Sequence, residues 1–121
     1  MRFLTPAIHR VLDFVTVLAF ALAPTLVPLT GLPAILAYTL AVVHLALTLA
    51  TEFTESGRKP LSLRGHGALE AVVGIALLVL PFVVGWTDRP RIFYLAAGGV
   101  ILVVSALSRY RTTQASVDAA V

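Results

Sequence analysis

Charged positions are rare in this chain and fall into clusters. No Asp, Glu, Lys or Arg interrupts the 38 residues from Phe14 to Thr51, and two more uncharged runs of 17 cover Ala71 to Thr87 and Ile92 to Ser108. A membrane span takes about 20 mostly apolar residues. The long run is therefore read as two spans, broken where Pro24, Pro28, Gly31 and Pro33 crowd together, and each shorter run becomes a span once one or two polar flanks join it. The pattern predicts four helices, from about His9 to Val27, Pro33 to Phe53, His66 to Trp86 and Pro90 to Tyr110.

The pattern also repeats. A shift of 57 lays residues 4–53 on 61–110 without a gap and matches Leu4 with Leu61, His9 with His66, Pro24 with Pro81, Thr30 with Thr87 and Pro33 with Pro90. Identities among apolar residues carry little information, but here the rare types coincide, and Asp13 falls on Glu70 and Thr48 on Ser105. The expected fold is all-α: a four-helix transmembrane bundle made of two tandem parallel helical-hairpin repeats. Two spans precede the second copy, so both copies share one orientation, related by a pseudo-twofold axis along the membrane normal. Within a single domain of residues 1–121, the repeats are joined by a loop over 54–64 and followed by a flexible tail over 111–121.

Composition agrees with that reading. Of the 121 residues 59% are hydrophobic and 12% charged, and the mean hydropathy is +0.96, which leaves too little polar surface to cover a soluble domain. Seven of the nine basic residues (Arg2, Arg10, Arg58, Lys59, Arg64, Arg109 and Arg111) lie at the termini or in the middle loop, against Arg89 and Arg91 on the other side. The positive-inside rule then places both termini and the 54–64 loop in the cytoplasm, with the spans in the inner membrane. Trp86, Phe82, Phe93 and Tyr94 are expected at the outer interface, and Phe53 and Tyr110 at the inner one. The cations form no basic helix face, so nucleic acid is not an expected partner. The absence of cysteine removes disulfides and thiol chemistry. Ala21-Leu22-Ala23 imitates a signal-peptide cleavage site, but Asp13 interrupts the apolar core and Pro24 follows the cut, so the segment is read as a retained helix.

A helix entered by a histidine and an acid, a proline near its far end, a tight turn and a second apolar helix rich in small residues, all duplicated over residues 9–110, resembles the SPW-repeat family of small bacterial membrane proteins. Ala23-Pro24-Thr25 and Leu80-Pro81-Phe82 stand at the family's Ser-Pro-Trp, and the proline is the shared part. The resemblance implies this fold and a membrane location, and no particular activity.

Candidate chemistry is concentrated in two short segments, His9 to Asp13 and His66 to Glu70. Residues four apart share a helix face, so each histidine reaches its acid, and the pseudo-twofold axis can bring the pairs together. A bland reading makes the acids partners of a positive helix end and the histidines interfacial caps; proton handling and metal binding are the rivals. Against metal, the order and spacing differ from the Glu-x-x-His of helical di-iron proteins. His44, Thr48 and Thr51 or Glu52 form a polar stripe on helix 2, answered on helix 4 by Ser105 and Ser108 or Arg109. Asp13 is expected against Thr48 and Glu70 against Ser105, with Arg109 neutralising one acid. His44 stands apart, since its counterpart is Ile101 and buried polar groups in a span are functional suspects; its bland reading is a neutral ring bonded to the Phe20 carbonyl that Pro24 frees. Thr30 and Thr87 read as helix caps, and Ala96, Ala97, Gly98 and Gly99 as a close-packing surface.

No phosphate loop, nucleophile triad or zinc spacing appears, so no enzyme activity, cofactor or metal site is expected. The sequence ranks a non-enzymatic structural or accessory module first, partnered by the lipid bilayer in a homo-oligomer or larger membrane complex. A proton-coupled transporter or channel working as an oligomer comes next, then a membrane metal-binding protein.

Overall fold

A computed structural model of the protein describes residues 3–53 and 58–108. It contains four helices, α1 (Pro6–Leu26), α2 (Gly31–Ala50), α3 (Leu63–Val83) and α4 (Asp88–Leu107), each long and apolar enough to cross a membrane. The flexible tail expected over 111–121, Arg109 and Tyr110 lie outside the described residues. α1 and α3 start three residues before their sequence-based boundaries, and α2 and α4 two residues before theirs. The cause is local in α1 and α3, where Thr5 and Ser62 take extended backbone and accept hydrogen bonds from the amides of Ile8 and Gly65. Pro6, just after Thr5, has no N–H to leave unsatisfied in the first turn. Thr30 and Thr87 do stand at the N-cap positions of α2 and α4, but neither side chain makes the capping hydrogen bond.

α2 and α4 also stop early, for a reason absent from the hydrophobic pattern. Thr51–Glu52 (β1) pairs in parallel with Leu61–Ser62 (β2), and Ser108 forms the equivalent bridge with Leu4. The two pairings exchange under the shift of 57 that relates the repeats. They tie both helix exits to the entries of α1 and α3, so the four ends gather at one end of the bundle.

Within a hairpin the helices touch closely, whereas packing between hairpins is sparse at the backbone level. α3 and α4 meet through glycines: a Cβ on Gly98 would lie 2.8 Å from the Gly74 carbonyl oxygen. Only 22% to 33% of the apolar centre of each span is buried within the chain, which leaves the remaining apolar surface to lipid. The interior is divided. Toward the hairpin turns it is apolar, built on Phe20, Ala23, Leu29, Ala37, Leu77 and Tyr94. There the Tyr94 hydroxyl donates to the Pro33 carbonyl at 2.7 Å and links the hairpins. Toward the gathered ends it is polar.

Candidate metal centre

The polar half holds His9, Asp13, His44, Thr48, Thr51, His66, Glu70, Ser105 and Ser108, all buried. The helical spacing does place each acid beside its own histidine, with His9 Nε2 3.3 Å from Asp13 Oδ1 and His66 Nε2 2.9 Å from Glu70 Oε1. The contacts between repeats are as close. His9 Nε2 lies 3.1 Å from Glu70 Oε2, and His66 Nε2 lies 3.0 Å from Asp13 Oδ2. The two pairs are thus one cluster, in which one ligand atom from each of the four residues falls within 4.8 Å of all the others.

The far side of each ring is held by the opposite hairpin. Ser108 Oγ donates to the Val104 carbonyl at 2.6 Å, and Thr51 Oγ1 donates to the Leu47 carbonyl at 2.6 Å. Each hydroxyl has a single hydrogen, already committed to its own helix. Ser108 Oγ therefore accepts from His9 Nδ1–H at 2.6 Å, and Thr51 Oγ1 accepts from His66 Nδ1–H at 2.7 Å. This fixes the proton on Nδ1 of both rings and turns both Nε2 atoms toward the carboxylates. An anchored Nδ1–H with Nε2 facing a ligand pocket is the arrangement of metal-binding histidines. Phe53, expected in the interfacial belt, is instead buried against the His9 and His66 rings.

Among the described residues the ionic partners of the acids are histidines. Thr48 donates back to the His44 carbonyl and Ser105 to the Gly67 carbonyl, each as a helix-stabilising or interhelical bond to backbone. Neither carboxylate takes a Lys or Arg partner among the described residues; their ionic neighbours are the three histidines. Glu52 lies apart from the cluster and accepts from the amides of Arg58 and Lys59 in the middle loop. His44 points its Nε2 at the acids, 3.4 Å from Asp13 Oδ1 and 3.5 Å from Glu70 Oε1, in place of the Phe20 carbonyl. The sequence offered Thr51 and Ser108 only as alternatives to charged neighbours. Their coincidence under the repeat shift, at the exits of α2 and α4, is the signal that singles them out.

Each carboxylate has one oxygen in a hydrogen bond to an imidazole, Glu70 Oε1 with His66 Nε2 at 2.9 Å and Asp13 Oδ1 with His44 Nε2 at 3.4 Å, and burying carboxylates as anions requires compensating charge. Asp13 Oδ2 and Glu70 Oε2 are fully buried and lack a hydrogen bond, although imidazole nitrogens lie 3.0 and 3.1 Å away. Those nitrogens sit at bonding distance but off the hydrogen-bond direction. Metal–ligand bonds of about 2.1 Å place neighbouring ligand atoms about 3.0 Å apart at right angles and about 3.4 Å apart at the tetrahedral angle. The four Nε2–oxygen separations among His9, Asp13, His66 and Glu70, from 2.9 to 3.3 Å, are of that size and between them reach all four carboxylate oxygens, while one ligand atom from each residue lies within 4.8 Å of the others. Two neutral imidazoles and two carboxylates with one divalent ion sum to zero charge.

The fold and the centre define a polytopic membrane protein of two helical hairpins joined by a buried histidine–carboxylate cluster. Comparison with protein-family models, with curated proteins and with solved structures finds no match for the chain.

Proposed function

We propose that this chain is an integral membrane protein that binds one divalent metal ion between its hairpins, through His9, Asp13, His66 and Glu70. The observation that carries the reading is the anchoring of both Nδ1 atoms by Ser108 and Thr51 of the opposite hairpin, which turns both Nε2 atoms toward the two carboxylates. The sequence ranks a structural module first because the order and spacing of the pairs differ from known helical metal motifs; the anchored Nδ1 atoms and the contacts between repeats move metal binding ahead. The two roles are compatible. With sparse packing between hairpins, an ion shared by α1 and α3 would add a tie across the bundle. The arginine distribution supports a centre at the cytoplasmic side of the inner membrane, with both termini in the cytoplasm. Its place in a homo-oligomer or larger complex, and its kinship with SPW-repeat proteins, stand as proposals on the same footing.

Elemental analysis of the detergent-purified protein, after loading with divalent ions and removal of excess, tests the reading. One ion per chain is expected in the wild type, and none in the Asp13→Asn/Glu70→Gln double variant, whose helix content should persist. A wild type that retains no ion from manganese through zinc refutes metal binding. It would leave the competing description, in which two imidazolium–carboxylate pairs pin the hairpins together.

A further inference from the structure

The four ligands of the proposed centre come in two pairs related by the repeat, which on its own would make a symmetric site. His44 breaks that symmetry. It lies on α2 in the position that Ile101 holds on α4, and both are buried. Its Nε2 stands 3.4 Å from Asp13 Oδ1 and 3.5 Å from Glu70 Oε1, the same oxygens that His9 and His66 Nε2 approach at 3.3 and 2.9 Å, and it borders the group of four whose ligand atoms lie within 4.8 Å of one another. Its ring is set at 75° to that of His66, and the ring of His9 at 78° to that of His66, so the imidazoles approach edge-on and do not stack.

We propose that His44 is the fifth ligand of the ion, completing a set of three imidazole nitrogens and two carboxylates. This rests on the metal-binding reading above and adds the coordination number and the class of ion. Three nitrogens disfavour magnesium and calcium, which take oxygen ligands. The absence of cysteine, with the sole methionine at position 1, removes the soft ligands that select Cu(I). A mixed imidazole–carboxylate set suits a first-row divalent ion between manganese and zinc. On the side facing His44 the site is filled by a nitrogen; at the repeat-equivalent position the buried Ile101 side chain offers no donor. The ion is therefore five-coordinate, and the two repeats, alike in four ligands, are unequal in the fifth.

His44→Ile gives repeat 1 the residue that repeat 2 already buries at the same place, so the variant is expected to fold; helix content and thermal unfolding check that directly. Cobalt(II) is the probe, because its visible absorption grows markedly when five ligands are reduced to four. The expected result is one cobalt per chain in both proteins, with stronger, shifted visible bands in His44→Ile. Its affinity should fall by more than the roughly 10- to 100-fold that follows loss of an outer hydrogen-bonding partner. If the spectrum and affinity are the same in the variant as in the wild type, with one cobalt bound in each, His44 is not a ligand and the four-residue site stands without it. If the wild type takes up no cobalt or any other ion in this series, metal binding itself fails, and the fifth ligand with it.

Discussion

Removing the hydroxyls behind the two histidines is the most direct probe of the centre. In Ser108→Ala the His9 Nδ1–H loses its acceptor, and in Thr51→Val, a near-isosteric change, His66 Nδ1–H loses its own. Both hydroxyl residues are fully buried, so water has no ready route to replace them. A buried donor left unsatisfied costs about 1–3 kcal/mol, whereas the Val104 and Leu47 carbonyls remain within their helices and lose little. Loss of an outer-shell partner weakens metal binding about 10- to 100-fold, or about 1.4–2.7 kcal/mol. The repeat makes a second demand, that the two variants behave alike, since each removes the same contact from one half of the site. Thr48→Val supplies the control, because among the described residues Thr48 bonds the His44 carbonyl of its own helix and no histidine ring; it should cost about 0.5–1.5 kcal/mol of stability and leave metal affinity unchanged. Competition with a chromophoric chelator gives the affinities, and thermal unfolding with and without chelator gives the stabilities. Ser108→Ala and Thr51→Val proteins indistinguishable from Thr48→Val in both assays would refute the anchoring argument.

The remaining predictions concern the scaffold. Gly98→Ala should destabilise the second hairpin by about 1–3 kcal/mol, because its Cβ meets the backbone oxygen of Gly74, while Gly99→Ala has open space and should gain up to about 1 kcal/mol of helix propensity. Equal unfolding temperatures for the two would contradict the close approach of α3 and α4. Tyr94→Phe removes the bond to the Pro33 carbonyl and should cost about 1 kcal/mol in unfolding free energy with no change in ion stoichiometry; a loss of bound ion would mean that the two halves of the interior are not separate. Reporter fusions at residues 31, 60, 88 and 121 should report outside, inside, outside and inside, and a cytoplasmic signal at 88 would overthrow the four-span topology.

Much of the architecture is written locally. A run without charge longer than a span, broken by prolines, forces helices in lipid because each backbone group must be satisfied within its own segment. The i, i+4 spacing of His9 with Asp13 and of His66 with Glu70 is equally local, and so is the 57-residue repeat. These needed no knowledge of which helix lies beside which.

The partners of the acids did need it. Periodicity orders residues along one helix and is silent about the rotation of one hairpin against the other. Thr48 and Ser105 share the polar stripes of α2 and α4, yet their hydroxyls bond backbone carbonyls, at His44 and Gly67. Thr51 and Ser108, one turn further, reach the histidines because the parallel pairings of Thr51 with Leu61 and of Ser108 with Leu4 draw each helix exit onto the opposite hairpin's entry. Phe53 follows the same path and is buried against the imidazoles in place of a belt position. The sequence by itself determined four spans, two hairpins and two histidine–acid pairs, since each is a property of one segment in lipid. Only the tertiary structure made those pairs one centre and brought His44 to it, because contacts between residues 31 to 99 positions apart depend on how the hairpins pack together.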